Sequence, residues 1–187
     1  MLSLEVRRKI FHLIAISLWI VPLKLFPPFL TFLTFLVVIF LNILVVKKVG
    51  QDSLGVVYRC ILYLEREKNL EKPSIQALWA NLGIMLSFLI FGGDCATIGV
   101  ILLAVGDAFA SLVGYHLGRT RLFDKSLEGF LAFFLSSFLV LYFILGWRRA
   151  IILSLFGALI ELLPLKVDDN LALPLAGSFL CYILEHF

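Results

Sequence analysis

Three cysteines, Cys60, Cys95 and Cys181, are all the chain has, and no two are spaced C-x-x-C. An odd, unclustered set argues against a disulfide framework or a metal knuckle and reads as three small apolar side chains. Low-complexity segments and a clear internal repeat are missing too, although a topology repeat of the transporter kind stays open. There is no Walker A sequence, no protein-kinase signature and no Rossmann fingerprint, which excludes the common soluble nucleotide-binding folds. No A-x-A-like cleavage site follows the apolar run after Arg7-Arg8-Lys9. That run leads into Pro27-Pro28 and a second apolar run, which makes it a first helix and not a cleaved signal. The net charge of +3 is too small to point to nucleic acid.

What the chain has in abundance is apolar surface. Hydrophobic residues make up 61% of its 187 positions, and mean hydropathy is +1.05. A soluble domain is usually about half apolar and could not hide so much Leu, Ile, Val and Phe. A membrane span takes about 20 mainly apolar residues, so six or seven spans would leave only short connections and no separate soluble domain. The expected fold is all-α: one integral membrane domain over 1–187, a polytopic bundle of about seven spans. The apolar runs place helices near 10–26, 28–46, 74–91, 95–117, 127–146, 149–164 and 171–186. Residues 52–70 alternate Leu54, Val57, Tyr58, Ile61, Leu62 and Leu64 with Arg59, Glu65, Arg66 and Glu67. This stretch is too polar to span and suits an amphipathic surface helix.

Charge asymmetry orients the bundle. With the N-terminus in the cytoplasm and seven crossings, that side holds Arg7, Arg8, Lys9, Lys47, Lys48, Arg59, Arg66, Lys68, Lys72, Arg119, Arg121, Lys125 and Lys166. The other side holds Lys24, Arg148 and Arg149, so the bias is thirteen to three. The surface helix is then cytoplasmic, and the chain's size points to a prokaryotic plasma membrane.

Three carboxylates, Asp107, Glu128 and Glu161, sit in or at the edge of apolar runs. Each costs about 2.5–3.5 kcal/mol at the bilayer centre on insertion scales, so each needs a partner, a cavity or a metal. Asp107 is the deepest, about three turns before Gly118 and so roughly 15 Å inside the membrane. Gly106, Ala110, Gly114 and Gly118 recur every four residues around it, with Ser111 beside them. Such a row packs helices closely, and it also lets a ligand approach the backbone. Beyond it lie Arg119, Arg121, Lys125, Ser126 and Glu128, with Ser126 placed to cap the next helix. A helix N-terminus beside basic side chains suits a phosphate, although Arg121 reads as ordinary anchoring charge. Glu5, Arg8, Lys9 and His12 share one helical face, and Arg7 points the opposite way, toward lipid head groups. A fourth cluster is Glu161 with Asp168, Asp169 and Asn170, flanked by Pro164 and Pro174. All four clusters fall on one membrane side. Their carboxylates suit Mg²⁺ and their cations suit phosphates, which points to a membrane-embedded site for a phosphorylated ligand.

Three of these stretches resemble the family of dolichol kinases, phytol kinases and CTP-dependent diacylglycerol kinases. Glu5-x-x-Arg8-Lys9-x-x-His12 looks like the family's N-terminal E-x-x-R-K-x-x-H. Gly106-Asp107-Ala108-Phe109-Ala110-Ser111, running through Gly114, Gly118 and Arg119 to Lys125-Ser126-Leu127-Glu128-Gly129, looks like its nucleotide-site segment. Glu161 with Asp168-Asp169-Asn170 and Pro174 resembles its C-terminal acidic motif, and Leu64-Glu65-Arg66-Glu67-Lys68 is a weaker echo of a family loop. The resemblance implies phosphoryl transfer from CTP to the hydroxyl of a membrane lipid alcohol, with Mg²⁺ or another divalent cation. It gives Asp107 a metal-triphosphate role, with Glu128 or Asp169 sharing the metal. Lys125, Arg119, Arg8 and Lys9 would then neutralise shifting phosphate charge. Either a carboxylate or His12 would orient the attacking hydroxyl. The chain is much shorter than the eukaryotic dolichol kinases, and diacylglycerol, a polyprenol and phytol or another isoprenoid alcohol all stay open as substrates.

Two rival readings stand beside this one. A phosphatidate cytidylyltransferase-like enzyme has a similar G-D…K-x-x-E-G segment, but this chain has only Asp168-Asp169-Asn170-Leu171 in place of a long acidic C-terminal stretch. A small transporter would explain an acid in the membrane, but not the cations gathered at Lys125 and Arg8. A purely structural scaffold would leave the costly carboxylates without a purpose.

Overall fold

The computed structural model describes residues 3–49, 55–65 and 69–186. Helix α1 (Leu4–Ser17) starts where the Ser3 side chain accepts the Val6 N–H, with Glu5 in its first turn. It begins well before the apolar run does, because capping and not hydropathy sets its start. The expected first span is broken at Leu18 and Trp19, and the chain resumes as a short α2 (Ile20–Leu25). Pro28 then opens α3 (Pro28–Val46) at a position where a missing N–H costs nothing. The amphipathic surface segment forms α4 (Gly55–Leu64). Its predicted extensions over 52–54 and 66–68 lie outside the described residues.

The next apolar stretch is α5 (Ile75–Ile101), a π-helical turn at Leu102–Gly106 and α6 (Asp107–Leu117). It is not one rod. Gly92, at φ +83°, interrupts the helix in the left-handed region that favours glycine. On a continuous helix Gly83 and Gly99 would stand about 24 Å apart. Instead both press on one residue of α9 (Asp169–His186): a Cβ on Gly83 would lie 2.8 Å from Pro174 Cγ, and one on Gly99 2.5 Å from the Pro174 carbonyl oxygen. The chain therefore folds back at Gly92 into a helical hairpin, with α9 packed against both limbs. The gap predicted between 91 and 95 is this bend.

A two-residue hairpin, β1 (Arg121–Leu122) with β2 (Lys125–Ser126), leads into α7 (Leu127–Leu145). The Ser126 hydroxyl accepts the Gly129 N–H, so the predicted cap forms. Gly146, at φ +79°, turns the chain into α8 (Trp147–Leu162). The small-residue row packs as expected: a Cβ on Gly129 would meet the Ala110 carbonyl oxygen at 2.9 Å, and one on Gly106 would strike the Phe133 ring.

Several interior polar groups pair with one another. Trp19 stacks on Phe35 and donates to Asn81 at 2.8 Å, and Asn81 donates to Asn42 at 2.6 Å. Cys95 and Cys181 are disulfide-bonded, tying α5 to α9. This corrects the expectation of three unpaired cysteines; count and spacing could not reveal that the hairpin brings position 95 back beside 181. The outer surface carries Phe29 at 78% exposure and Phe143 at 79%. Among the described residues, three segments are long and apolar enough to cross a membrane by length and composition: Pro28–Val46, Ile75–Leu117 and Leu127–Leu145. The chain is an all-α integral membrane protein.

Candidate active site

Helix ends build a cavity of about 780 Å³ at one end of the bundle. Most of α1 from Glu5 to Ile16, the end of α4, the start of α5, α6 from Asp107 to Tyr115, the β1–β2 hairpin, the first turn of α7, the end of α8 and the start of α9 all reach it. Its buried charges are Glu161, 4% exposed, and Asp107 and Lys9, each 8% exposed. Lys9 Nζ donates to Asp107 Oδ2 at 2.6 Å, and the Ser111 hydroxyl donates to Oδ1 at 3.4 Å. His12 Nε2 lies 3.3 Å from the Leu103 carbonyl oxygen and 3.4 Å from Asp107 Oδ2. Both neighbours can only accept, so Nε2 carries a proton and Nδ1 is left as the ring's acceptor. The π turn matters here. It ends at Asp107, whose N–H donates back to Leu102, and such turns reset which face a following residue presents.

A second cluster forms where β2, α8 and α9 meet. Lys125 Nζ donates to Glu161 Oε1 at 2.7 Å and to Asp169 Oδ2 at 2.8 Å. Burial opposes the charge on Lys125, but the two carboxylates outweigh it and hold the ammonium above the ordinary lysine range. The third cluster fixes a guanidinium: Arg8 donates to Glu5 at 3.1 Å and to Gln76 of α5 at 2.8 Å. Asp168 accepts from the backbone and side-chain amides of Asn170, which shapes the turn into α9.

Most of the residues singled out in the sequence meet here. Glu5, Arg8, Lys9, His12, Asp107, Ser111, Gly114, Lys125, Ser126, Glu161, Asp168, Asp169 and Asn170 all line the cavity. Four do not. Gly106 is packed against Phe133, and Gly118 against Ser126 and the Gly114 carbonyl. Arg119 is exposed. Glu128 turns outward and accepts the Thr120 N–H at 3.1 and 3.3 Å, bracing the hairpin.

Other residues join that the sequence did not single out. Gln76 had no local signal, since only the packing of α5 on α1 gives it a role. Arg121, read as anchoring charge, lines the cavity with Asp124 because the hairpin curls inward. Arg7 does point away from the cavity, but its guanidinium stacks on Tyr63 of α4 at 4.1 Å instead of facing lipid head groups. Among the described residues the lining has seven carboxylates (Glu5, Glu65, Asp107, Asp124, Glu161, Asp168, Asp169) and four fixed cations (Arg8, Lys9, Arg121, Lys125). An anionic ligand entering alone would meet a surplus of negative charge; one that brings a cation would not.

Sequence comparison gives three informative relatives. An uncharacterized protein of Methanocaldococcus jannaschii is 35% identical over 109 residues, 56% of either chain. A probable chloroplastic phytol kinase of Oryza sativa is 29% identical over 142 residues, 64% of this chain and 45% of that one. A dolichol kinase of Schizosaccharomyces pombe is 34% identical over 88 residues, 42% of this chain and 17% of that one. The chain spans about half the length of the first two and a smaller part of the third. No family model matches it, and no solved structure matches it significantly. The chain is thus related in sequence to proteins named phytol kinase and dolichol kinase, in agreement with the resemblance of its motifs.

Proposed function

We propose that the chain is a CTP-dependent lipid-alcohol kinase, which moves the γ-phosphoryl group of CTP to the hydroxyl of a membrane lipid at the cytoplasmic face. The acceptor is diacylglycerol or a polyprenol-type isoprenoid alcohol. The observation that carries this reading is the buried Lys9–Asp107 pair beside His12, in a cavity that also gathers Arg8, Lys125, Asp168 and Asp169. The names of the relatives support a lipid-alcohol kinase; CTP, Mg²⁺ and diacylglycerol rest on the resemblance of the motifs.

Phosphoryl transfer needs positioning and charge neutralisation more than covalent help from the protein. The oxygen donors Asp107 and Asp169, in a cavity with surplus carboxylates, fit a hard dication such as Mg²⁺. When bound with the triphosphate, that ion neutralises charge on the transferring group. Glu128, outside the cavity, drops out of the metal set. Lys9 and Lys125 turn from their carboxylates to phosphate oxygens, an exchange that keeps each buried charge opposite one of the other sign. Arg8, held by Glu5 and Gln76, presents a fixed guanidinium to the phosphates. The lipid hydroxyl oxygen attacks the γ-phosphorus, the bond to the β-phosphate oxygen breaks, and CDP leaves. The hydroxyl proton passes to His12 Nδ1 and then to solvent.

The membrane topology belongs to the same proposal: seven crossings, made by α1 with α2, α3, the two limbs of the α5–α6 hairpin, α7, α8 and α9. The cavity end faces the cytoplasm. The deciding assay is incubation in detergent with Mg²⁺, γ-labelled CTP and separate pools of diacylglycerol and isoprenoid alcohols. Label in a lipid, weak with ATP and absent from Asp107→Asn, is the expected result. If α-labelled CTP marks phosphatidate instead, the enzyme is a cytidylyltransferase. If no label moves and CTP does not raise the melting temperature, the transporter reading takes over.

A further inference from the structure

The cavity has an apolar wall. Phe11 and Ala15 of α1, Ile61 and Leu64 of α4 and Ala77 of α5 line it. Elsewhere ties between elements hold the cavity together, although Tyr115, Leu165 and Val167 also line it and are exposed. Between α1 and α6 stand the Lys9–Asp107 pair and the His12 contact with Leu103. Close packing of Gly129 on Ala110 closes α6 to α7, and Lys125 bridges β2 to α8 and α9. Among the described residues, Arg8 of α1 ties to Gln76 of α5 at one level, and Trp19, in the break after α1, ties to Asn81 farther along α5. The span between these ties includes two small side chains, Ala15 and Ala77, with Ile16 and His12 of α1 also lining the cavity. Phe11 lines the cavity there and is also 53% exposed, so the wall opens to the surroundings of the bundle. Those surroundings are hydrocarbon, given the exposed Phe and Leu of the outer surface.

We propose that this gap between α1 and α5, roofed by Ile61 and Leu64 of α4, is the side entrance that takes the hydrocarbon chain of the acceptor lipid. The chain stays in the bilayer and along the apolar wall, while the hydroxyl comes to rest beside His12 and Asp107. Drawing a long chain out of lipid into a water-filled mouth would be costly for every methylene exposed, and a lateral gap avoids that. The inference rests on the lipid-alcohol kinase reading and names the wall that binds the chain.

The test fills the gap without touching a charged residue. Ala15→Trp and Ala77→Leu are assayed with a long isoprenoid alcohol in vesicles and with a short, water-soluble homologue. The expected result is a fall in kcat/KM of about tenfold or more for the long alcohol, with the short one unchanged. Equal rates for the long alcohol in wild type and both variants would overturn the proposal. A second measurement guards against variants that fail to fold. The unaltered protein is photolysed with a long alcohol bearing a diazirine on its chain, and the adducts are mapped. Adducts on Phe11, Ala15 or Ala77 support the entrance; adducts confined to the outer faces of α7 and α8 overturn it. If the unaltered protein phosphorylates neither alcohol, the kinase reading has failed, and the adduct map still reports on the gap alone.

Discussion

Lys9 and Asp107 lie 98 positions apart in the chain, yet their side chains meet at 2.6 Å with both residues buried. Removing one charge of such a pair strands the other, which typically costs about 3–5 kcal/mol. Asp107→Asn should therefore lower the melting temperature in detergent as well as abolish lipid labelling. Lys9→Met with Asp107→Leu should recover much of the stability and none of the activity, which separates the two roles. Lys125 makes a different prediction because its pKa in the folded protein is raised. A raised value means that its stabilising contribution is complete below the ordinary lysine pKa of 10.5 and is lost only as pH rises through the higher folded value. Lys125→Met should thus lower the melting temperature by the same amount at about pH 7 and about pH 9, within the window where both states stay charged. Gln76→Ala removes a hydrogen bond to a charged group, worth about 1.5–3 kcal/mol. If Arg8 contacts phosphate, the variant should lose roughly tenfold in kcat/KM for CTP, and Gln76→Glu should restore part of it.

At the scale of elements, the α5–α6 hairpin and α9 decide the architecture. Gly99 sits where a Cβ would meet the Pro174 backbone oxygen at 2.5 Å, a neighbour that cannot rotate away. Gly99→Ala should cost about 1–3 kcal/mol through overpacking. Gly92 has open space around it and a φ of +83°, so Gly92→Ala should cost about 1–2 kcal/mol through backbone strain alone. Combining Gly99→Ala with Pro174→Ala should leave the Gly99 penalty standing, since the obstacle is main chain and not the proline ring. Thermal melting of the purified variants reads each of these values.

At the scale of the molecule, the cavity end and the far end differ in charge. Lys24 pairs with Asp94 at 2.6 Å and Arg148 stacks over Trp147, both away from the cavity. Single cysteines at Arg148 and at Lys166, in a background without Cys60, Cys95 and Cys181, should label from opposite sides of sealed vesicles with an impermeant maleimide. Labelling of both from one side would remove a crossing between them and undo the seven-crossing arrangement.

Composition by itself determined the solvent of this protein and its all-α class, because backbone groups in hydrocarbon must be satisfied within each helix. Local spacing determined that Glu5, Arg8, Lys9 and His12 share a face and that Ser126 caps α7, since both follow from helical periodicity and one hydrogen bond. Residue type alone marked Asp107, Glu128 and Glu161 as too costly to be idle, although Glu128 then proves to lie outside the cavity. Only the tertiary structure decided which charges meet. The pairing of Lys125 with Glu161 and Asp169 depends on α8 and α9 returning to one end of the bundle. The outward turn of Glu128, the recruitment of Gln76 and Arg121, and the Cys95–Cys181 bond depend equally on packing between distant elements. Such contacts are made across helices, so no period or motif along the chain can carry them.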